Sequence, residues 1–277
     1  MRCYFATACS QALWEQALRT DQVFDVHSVF PSGVNLMLGE RLLYIGSDRA
    51  AMRPFGVLLR EPQLFSLLAS CRQGDGGVYQ RERKRLVWGS GMVLDLSEAD
   101  MRSGLITGEK RGADWAASSL RHLSRCWEKH KPAYGLAQEF PQREQLISSL
   151  KGVVCEDPMD APRQLDFWIG RGPGLTPSGD DLLVGLMAVL HWAGRSCCCK
   201  PILAYLQEKG RARTTAVSFE YLYYAAQGIF SQEILELLRA MTEAGPCGPA
   251  FSRLLAVGHS SGADTILGML AGLELFM

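Results

Sequence analysis

Between residues 170 and 181 the chain reads Gly-Arg-Gly-Pro-Gly-Leu-Thr-Pro-Ser-Gly-Asp-Asp, directly ahead of an apolar run from 182 to 190. Three glycines and two prolines between 170 and 177 cannot continue a helix or a central strand, because proline lacks the N–H and glycine opens backbone angles that other residues avoid. A loop with prescribed angles must therefore interrupt the chain here and hand over to a helix. Ser178 reads as the N-cap of that helix and Asp181 as its capping-box partner. A rigid glycine-lined loop that delivers the positive end of a helix is suited to receive an anion. The pattern is neither a P-loop, which needs Gly-Lys-Ser/Thr, nor the Gly-x-Gly-x-x-Gly of a dinucleotide fold.

The device recurs. Ser178-Gly179-Asp180-Asp181-Leu182-Leu183-Val184-Gly185 aligns with Ser261-Gly262-Ala263-Asp264-Thr265-Ile266-Leu267-Gly268, a shared Ser-Gly-x-Asp-x-x-x-Gly. The last glycine falls one helical turn beyond the aspartate, so each helix carries a small residue where another backbone can approach closely. Plain capping accounts for one Ser/Asp pair taken singly. It does not account for Arg171, Thr176 and Asp180 around the first copy, or for His259 and Ser260 before the second. A third polar cluster, Arg211-Ala212-Arg213-Thr214-Thr215-Ala216-Val217-Ser218, opens another helix. Thr214 or Thr215 can cap it, and Arg213 offers a planar fork to a carboxylate or phosphate. Since all three clusters open apolar helices and carry surplus polar groups, they are expected to lie together in space.

The first part of the chain has a different texture. Short runs at 23–30, 34–38 and 42–45 are separated by Pro31-Ser32-Gly33 and Gly39-Glu40 and followed by Gly46-Ser47-Asp48, the spacing of a β-meander or small barrel. Residues 54–59 add a strand, 61–71 a helix and 78–96 a hairpin, while 10–20 reads as a short amphipathic helix or an edge segment. From 113 the pattern is helical, with segments at 114–130, 142–154, 162–169, 178–193, 201–209, 214–227, 232–243, 251–257 and 261–276. The fold class expected is α+β: a β-rich N-terminal domain over 1–112, then an all-helical domain over 113–277 that carries the motifs. With no polar residue from 182 to 190, the helix there is expected to be buried nearly all round.

With 47% hydrophobic residues among 277, the chain can bury a substantial core as one large or two small domains. Lys plus Arg and Asp plus Glu are 29 each, so no global field favours nucleic acid. The run Arg81-Glu82-Arg83-Lys84-Arg85 lacks interleaved aromatics and reads as a solvated strand or turn. No apolar run is long enough for a membrane span or a leader, so the expectation is a cytoplasmic protein without membrane contact. Nine cysteines without a Cys-x-x-Cys pair read as reduced thiols. Adjacent side chains in Cys197-Cys198-Cys199 diverge, and Cys126 with His130 offers only two ligands on one helix face, so no zinc site is expected.

The three motifs together carry a resemblance. Residues 170–181, Thr-Thr-Ala-Val-Ser at 214–218 with Tyr-Ala-Ala-Gln-Gly at 224–228, and Leu-Leu-Ala-Val-Gly-His-Ser-Ser-Gly-Ala-Asp-Thr at 254–265 resemble the AllH-type subunit family of oxamate carbamoyltransferase. The match is specific over about 165–272, and the first 110 residues match only in general character. The resemblance implies a subunit of the enzyme that closes anaerobic allantoin breakdown in purine catabolism, in which oxalurate and phosphate give oxamate and carbamoyl phosphate. It also implies partner subunits, one of them similar to acyl-CoA synthetases in the FdrA group, and inactivity of the chain alone. Members of the family also occur away from allantoin pathways.

Site roles are read from local chemistry. Phosphorolysis of a carbamoyl group needs a held phosphate, a polarised carbonyl and a proton for the leaving amide. Arg171 and Arg213 are the candidate anion clamps, and His259, Asp181 and Asp264 the candidate catalytic groups. Gly174, Thr176, Ser178, Gly179, Asp180, Thr214, Thr215, Ser260, Ser261 and Gly262 are the candidate substrate-binding residues. The aspartates would repel phosphate unless they cap helices, face away or hold a divalent cation such as Mg2+; no other cofactor is implied. Two other readings share these residues: a non-catalytic module that binds an anionic metabolite or docks on an FdrA-like complex, and a metal-dependent hydrolase.

Overall fold

The computed structural model describes residues 2–154, 161–242 and 247–277 and divides into two units, Met1–Gly104 and Leu105–Met277. Nine strands form the first: β1 (Arg2–Ser10), β2 (Gln22–Phe30), β3 (Gly33–Leu38), β4 (Arg41–Ser47), β5 (Gly56–Leu59), β6 (Gly76–Gln80), β7 (Arg85–Trp88), β8 (Met92–Asp95) and β9 (Asp100–Arg102). Their order is β5-β4-β3-β2-β6-β7-β8-β1-β9 with β5 also paired to β1. Eight strands therefore close into a barrel, which removes the exposed edges of an open sheet. One edge of β1 pairs antiparallel with β5; the other runs parallel to β8 through residues 2–5 and to β9 through 8–10. Leu36, Leu43, Ile45, Tyr79, Leu86 and Leu94 are all fully buried, and Phe24 meets Trp88 edge-on at 5.0 Å between ring centroids.

Two local expectations change in this unit. Strand β1, the one with three partners, is absent from the sequence reading, because Arg-Cys-Tyr-Phe-Ala-Thr-Ala-Cys-Ser has small residues where a strand signal would show β-branched ones. The expected hairpin over 78–96 is a three-stranded meander. Its first turn is the charge run, exposed at 81–85, where Lys84 takes φ 53°. Segment 10–20 holds a single short helix, α1 (Gln11–Gln16), capped by Ser10, and 61–71 forms α2 (Glu61–Ser70).

The second unit holds α3 (Ala113–His130), α4 (Arg143–Lys151), α5 (Ala161–Trp168), α6 (Ser178–Trp192), α7 (Lys200–Tyr205), α8 (Arg211–Arg213), α9 (Ala216–Ala226), α10 (Gln232–Thr242), α11 (Gly248–Leu255) and α12 (Ser261–Glu274). Residues 105–112 pack with the helices: Leu105 bridges Ile229, and the Ile106 N–H donates to Gly228 O at 2.8 Å. The end of the helix expected over 232–243 lies outside the described residues, as does Cys155. No helix among the described residues is long and apolar enough to cross a membrane.

At the centre α6 packs on α12, and every residue of α6 from Ser178 to His191 is buried. The shared motif explains the approach. A Cβ on Gly185 would stand 1.9 Å from Thr265 O, and one on Gly268 would stand 1.9 Å from Leu182 O. In the motif alignment Leu182 corresponds to Thr265 and Gly185 to Gly268, so the contacts are reciprocal and the two helices are related by an approximate two-fold. The first glycine of each copy serves a second approach: Cβ atoms on Gly179 and Gly262 would meet Trp168 O and Leu254 O at 2.1 and 2.0 Å. Each motif helix thus starts against the end of the helix before it.

Candidate functional site

The loop ahead of α6 needs its glycines. Gly170, Gly172 and Gly174 have φ of 78°, 107° and 99°, in the region that costs a residue with a Cβ. The turn closes with the Gly179 N–H donating to Arg171 O at 2.9 Å. The capping box does not form. Pro177 takes the N-cap position without a side-chain cap, and its carbonyl accepts from Asp180 N at 2.9 Å and Asp181 N at 3.2 Å. Ser178 is therefore the first helical residue, and both it and Asp181 are released from capping. Helix α12 starts the same way: Ser260 is the N-cap by position, no side chain caps it, and its carbonyl accepts from Asp264 N at 2.9 Å.

The three polar loops converge. Asp180 is fully buried and gathers two of them: its Oδ1 accepts from Gly170 N at 2.8 Å, and its Oδ2 accepts from Thr214 Oγ1 and, at 2.6 Å, from Ser218 Oγ. Burial pushes its pKa up, and the three donors pull against that shift. Thr215 caps α9, accepting from Ser218 N at 3.1 Å, and donates its hydroxyl to Leu175 O. The third loop joins through Thr176 Oγ1 and Ser261 Oγ, 2.8 Å apart.

Asp181 and Asp264 occupy equivalent positions of the two motifs and exchange partners across the approximate two-fold. Asp181 lies beside Ser261 of the opposite helix and beside Thr176. Asp264 lies beside Ser178 of the opposite helix and beside Ser260, and its Oδ1 accepts from Gly135 N at 3.0 Å. These hydroxyls are near enough to favour the charged carboxylates, yet burial dominates and raises both pKa values, Asp181 well above the ordinary range. The charges of Asp264 and Asp180 raise Asp181 further. Relative exposure is 8% for Asp181 and 0% for Asp264, and Oδ2 of each has no hydrogen-bond partner among the described residues.

The remaining expected residues lie apart from this pair. Arg171 is paired with Glu139 and stacks on Phe167 with its guanidinium carbon 4.0 Å from the ring centroid. Arg213 donates to Asp166 O and has its Nε 3.9 Å from Asp166 Oδ1. Both arginines are thus engaged with α5 or with the segment before α4. His259 is exposed in the turn before α12, and Gly174 is exposed at the loop tip. Gly262 and Gly179 act through backbone packing. Among the described residues no three His, Cys, Asp or Glu side chains gather to hold a metal ion.

Sequence reasoning missed two contributors. Ser218 stands in Thr-Thr-Ala-Val-Ser, and a serine set between Val217 and Phe219 at a helix start was the available signal. Gly135 lies in an irregular stretch between α3 and α4 with no motif, and only the tertiary structure places it over Ser178 and Asp264, where a Cβ would stand 3.1 Å from Asp264 Oδ2.

The class defined by this geometry is a helical unit in which two like helix starts cross-pair serines and aspartates, with a third loop tied to the first by a buried carboxylate. Residues 168–273 match the family model of the oxamate carbamoyltransferase subunit AllH. Every residue of the cluster except Gly135 falls in that stretch. No solved structure matches the chain.

Proposed function

We propose that this chain is a subunit of a carbamoyltransferase that converts oxalurate and phosphate to oxamate and carbamoyl phosphate in purine catabolism, and that its helical unit contributes to the reacting site. The observation that carries the reading is the buried Asp181–Asp264 pair with its hydroxyls, assembled from two loops inside the matched stretch. In the reaction a phosphate oxygen attacks the carbamoyl carbon, the bond from that carbon to the oxamate nitrogen breaks, and the phosphate's proton ends on that nitrogen. Carboxyl groups whose pKa burial raises are suited to relay that proton. With Arg171 and Arg213 engaged elsewhere, phosphate is assigned to a partner subunit, consistent with an FdrA-like companion. Co-expression with the neighbouring subunits and an assay of carbamoyl phosphate from oxalurate tests the reading. Formation only when this chain is present supports it; full activity without it rejects it.

A second reading, a non-catalytic subunit that binds a metabolite or docks on the complex, is favoured by the exposure of His259 in the turn before α12. In that case Asp181→Asn in the assembled complex changes substrate affinity and not turnover. Mg2+ is the cofactor to test under the metal-dependent alternative, through the metal content of the purified chain.

A further inference from the structure

Two thiols in contact across a fold differ chemically from solitary ones, because either sulfur can trap an oxidised form of the other. Cys126 lies near the end of α3 and Cys247 at the N-cap position of α11. They are 121 residues apart in the chain, yet their Sγ atoms are 3.3 Å apart. The packing around them holds the contact. His130, one turn beyond Cys126, has its ring 5.0 Å from that of Phe251 in α11, and the Phe251 N–H donates to Cys247 O at 2.9 Å. Exposure divides the pair. Cys126 is half-buried and Cys247 buried, and burial together with the Cys126 sulfur pushes the Cys247 thiol up to about 12. An oxidant from solvent therefore meets Cys126 first, with a protonated thiol in contact behind it.

Both arms of this contact run on to one carboxylate. From α3 the chain passes through Lys131 to Gly135, whose N–H donates to Asp264 Oδ1 at 3.0 Å. From α11 it reaches Leu254, whose carbonyl is the close neighbour of Gly262 at the start of α12. A covalent link at the thiols would tie the arm that covers Asp264 to the arm that leads into its helix.

We infer that Cys126 and Cys247 form a modification site: a hydroperoxide converts them to a disulfide that joins α3 to α11 and holds Gly135 on the start of α12. The peroxide O–O bond breaks as the Cys126 sulfur takes one oxygen, giving a sulfenic acid and releasing water or an alcohol. The Cys247 sulfur then attacks the sulfenic sulfur. The S–S bond forms, the S–O bond breaks, and the hydroxyl leaves with the Cys247 proton as water. The thiols supply the two electrons that the peroxide takes up, and a thiol reductant reverses the step. The inference uses no part of the carbamoyltransferase reading, and its test needs no assay of turnover.

The full chain, reduced and then freed of reductant, is treated with hydrogen peroxide, its remaining thiols are blocked, and its peptides are mapped by mass spectrometry. A Cys126–Cys247 linked peptide that dithiothreitol removes is expected before any other disulfide. Closing so long a loop should raise the melting temperature of the oxidised chain by about 5 °C or more, and hydrogen exchange at the Gly135 amide should slow. Cys126→Ser and Cys247→Ala, each compared with its own untreated form, should show neither change. Cys126 carried to the sulfinic acid with Cys247 still free would overturn the site, as would disulfides confined to Cys197, Cys198 and Cys199. The same stabilisation by peroxide in Cys126→Ser would also overturn it. A linked peptide with unchanged exchange at Gly135 would refute the hold on α12.

Discussion

Asp181 and Asp264 are held where water cannot solvate them, and burial raises both pKa values. The folded chain therefore keeps protons that the unfolded chain has released once pH exceeds the ordinary carboxylate range, about pH 4. Stability must fall as pH rises from there through the raised values, because the native state binds more protons. Urea denaturation between about pH 4 and pH 8 should show that decline in the wild type and a flatter profile in Asp181→Asn, which cannot ionise. An identical slope in the two proteins would remove Asp181 as its source. Asp180 behaves differently because three donors meet it. Ser218→Ala removes one of them from a buried carboxylate and should cost about 1–3 kcal/mol in the same measurement. Arg213→Lys alters an exposed side chain engaged with Asp166, so a stability change within about 0.5 kcal/mol is expected.

At the scale of elements, the pairing of α6 with α12 depends on two glycines at which each backbone meets the other. Gly185→Ala or Gly268→Ala puts a methyl 1.9 Å from a main-chain carbonyl, where no rotamer gives way. Each should cost about 3 kcal/mol or more, as severe overpacking does. Gly272→Ala meets chiefly the Val189 side chain, at 2.8 Å, and should cost less. Denaturant midpoints of the three variants check the order. A Gly185→Ala protein as stable as the wild type would show that the helices are not in backbone contact. The same separation of helix axes sets the site, since it brings Ser178 to Asp264 and Ser261 to Asp181.

At the scale of the whole molecule, the chain is two units with separate architectures, a closed barrel and a helical body. The helical body buries its own apolar core, including Leu183, Leu186, Leu237, Phe251, Ile266 and Leu270. A fragment covering 105–277 should therefore unfold cooperatively, whereas one starting at 113 loses the Ile106 hydrogen bond to Gly228 and the Leu105 bridge and should melt lower. Thermal unfolding followed by near-ultraviolet circular dichroism compares them.

Much of this organisation is local and was legible in the residues. Glycine at positive φ, proline at a helix start, an unbroken apolar run and a repeated Ser-Gly-x-Asp-x-x-x-Gly each act within a few positions. They suffice for the loop ahead of α6 and for the buried α6, while the short runs and turns of the first part carry the β half of the α+β class. Strand β1 was not legible, because its place among three partners comes from barrel closure and not from its own side chains. The roles of Ser178 and Asp181 were misread for a related reason: a serine three residues before an aspartate looks like a capping box, and only the register of Pro177 and the approach of α12 turn both side chains to the opposite helix. Gly135 carried no signal at all. What a buried carboxylate does is set by the groups that reach it from distant parts of the chain, and those distances belong to the tertiary structure alone.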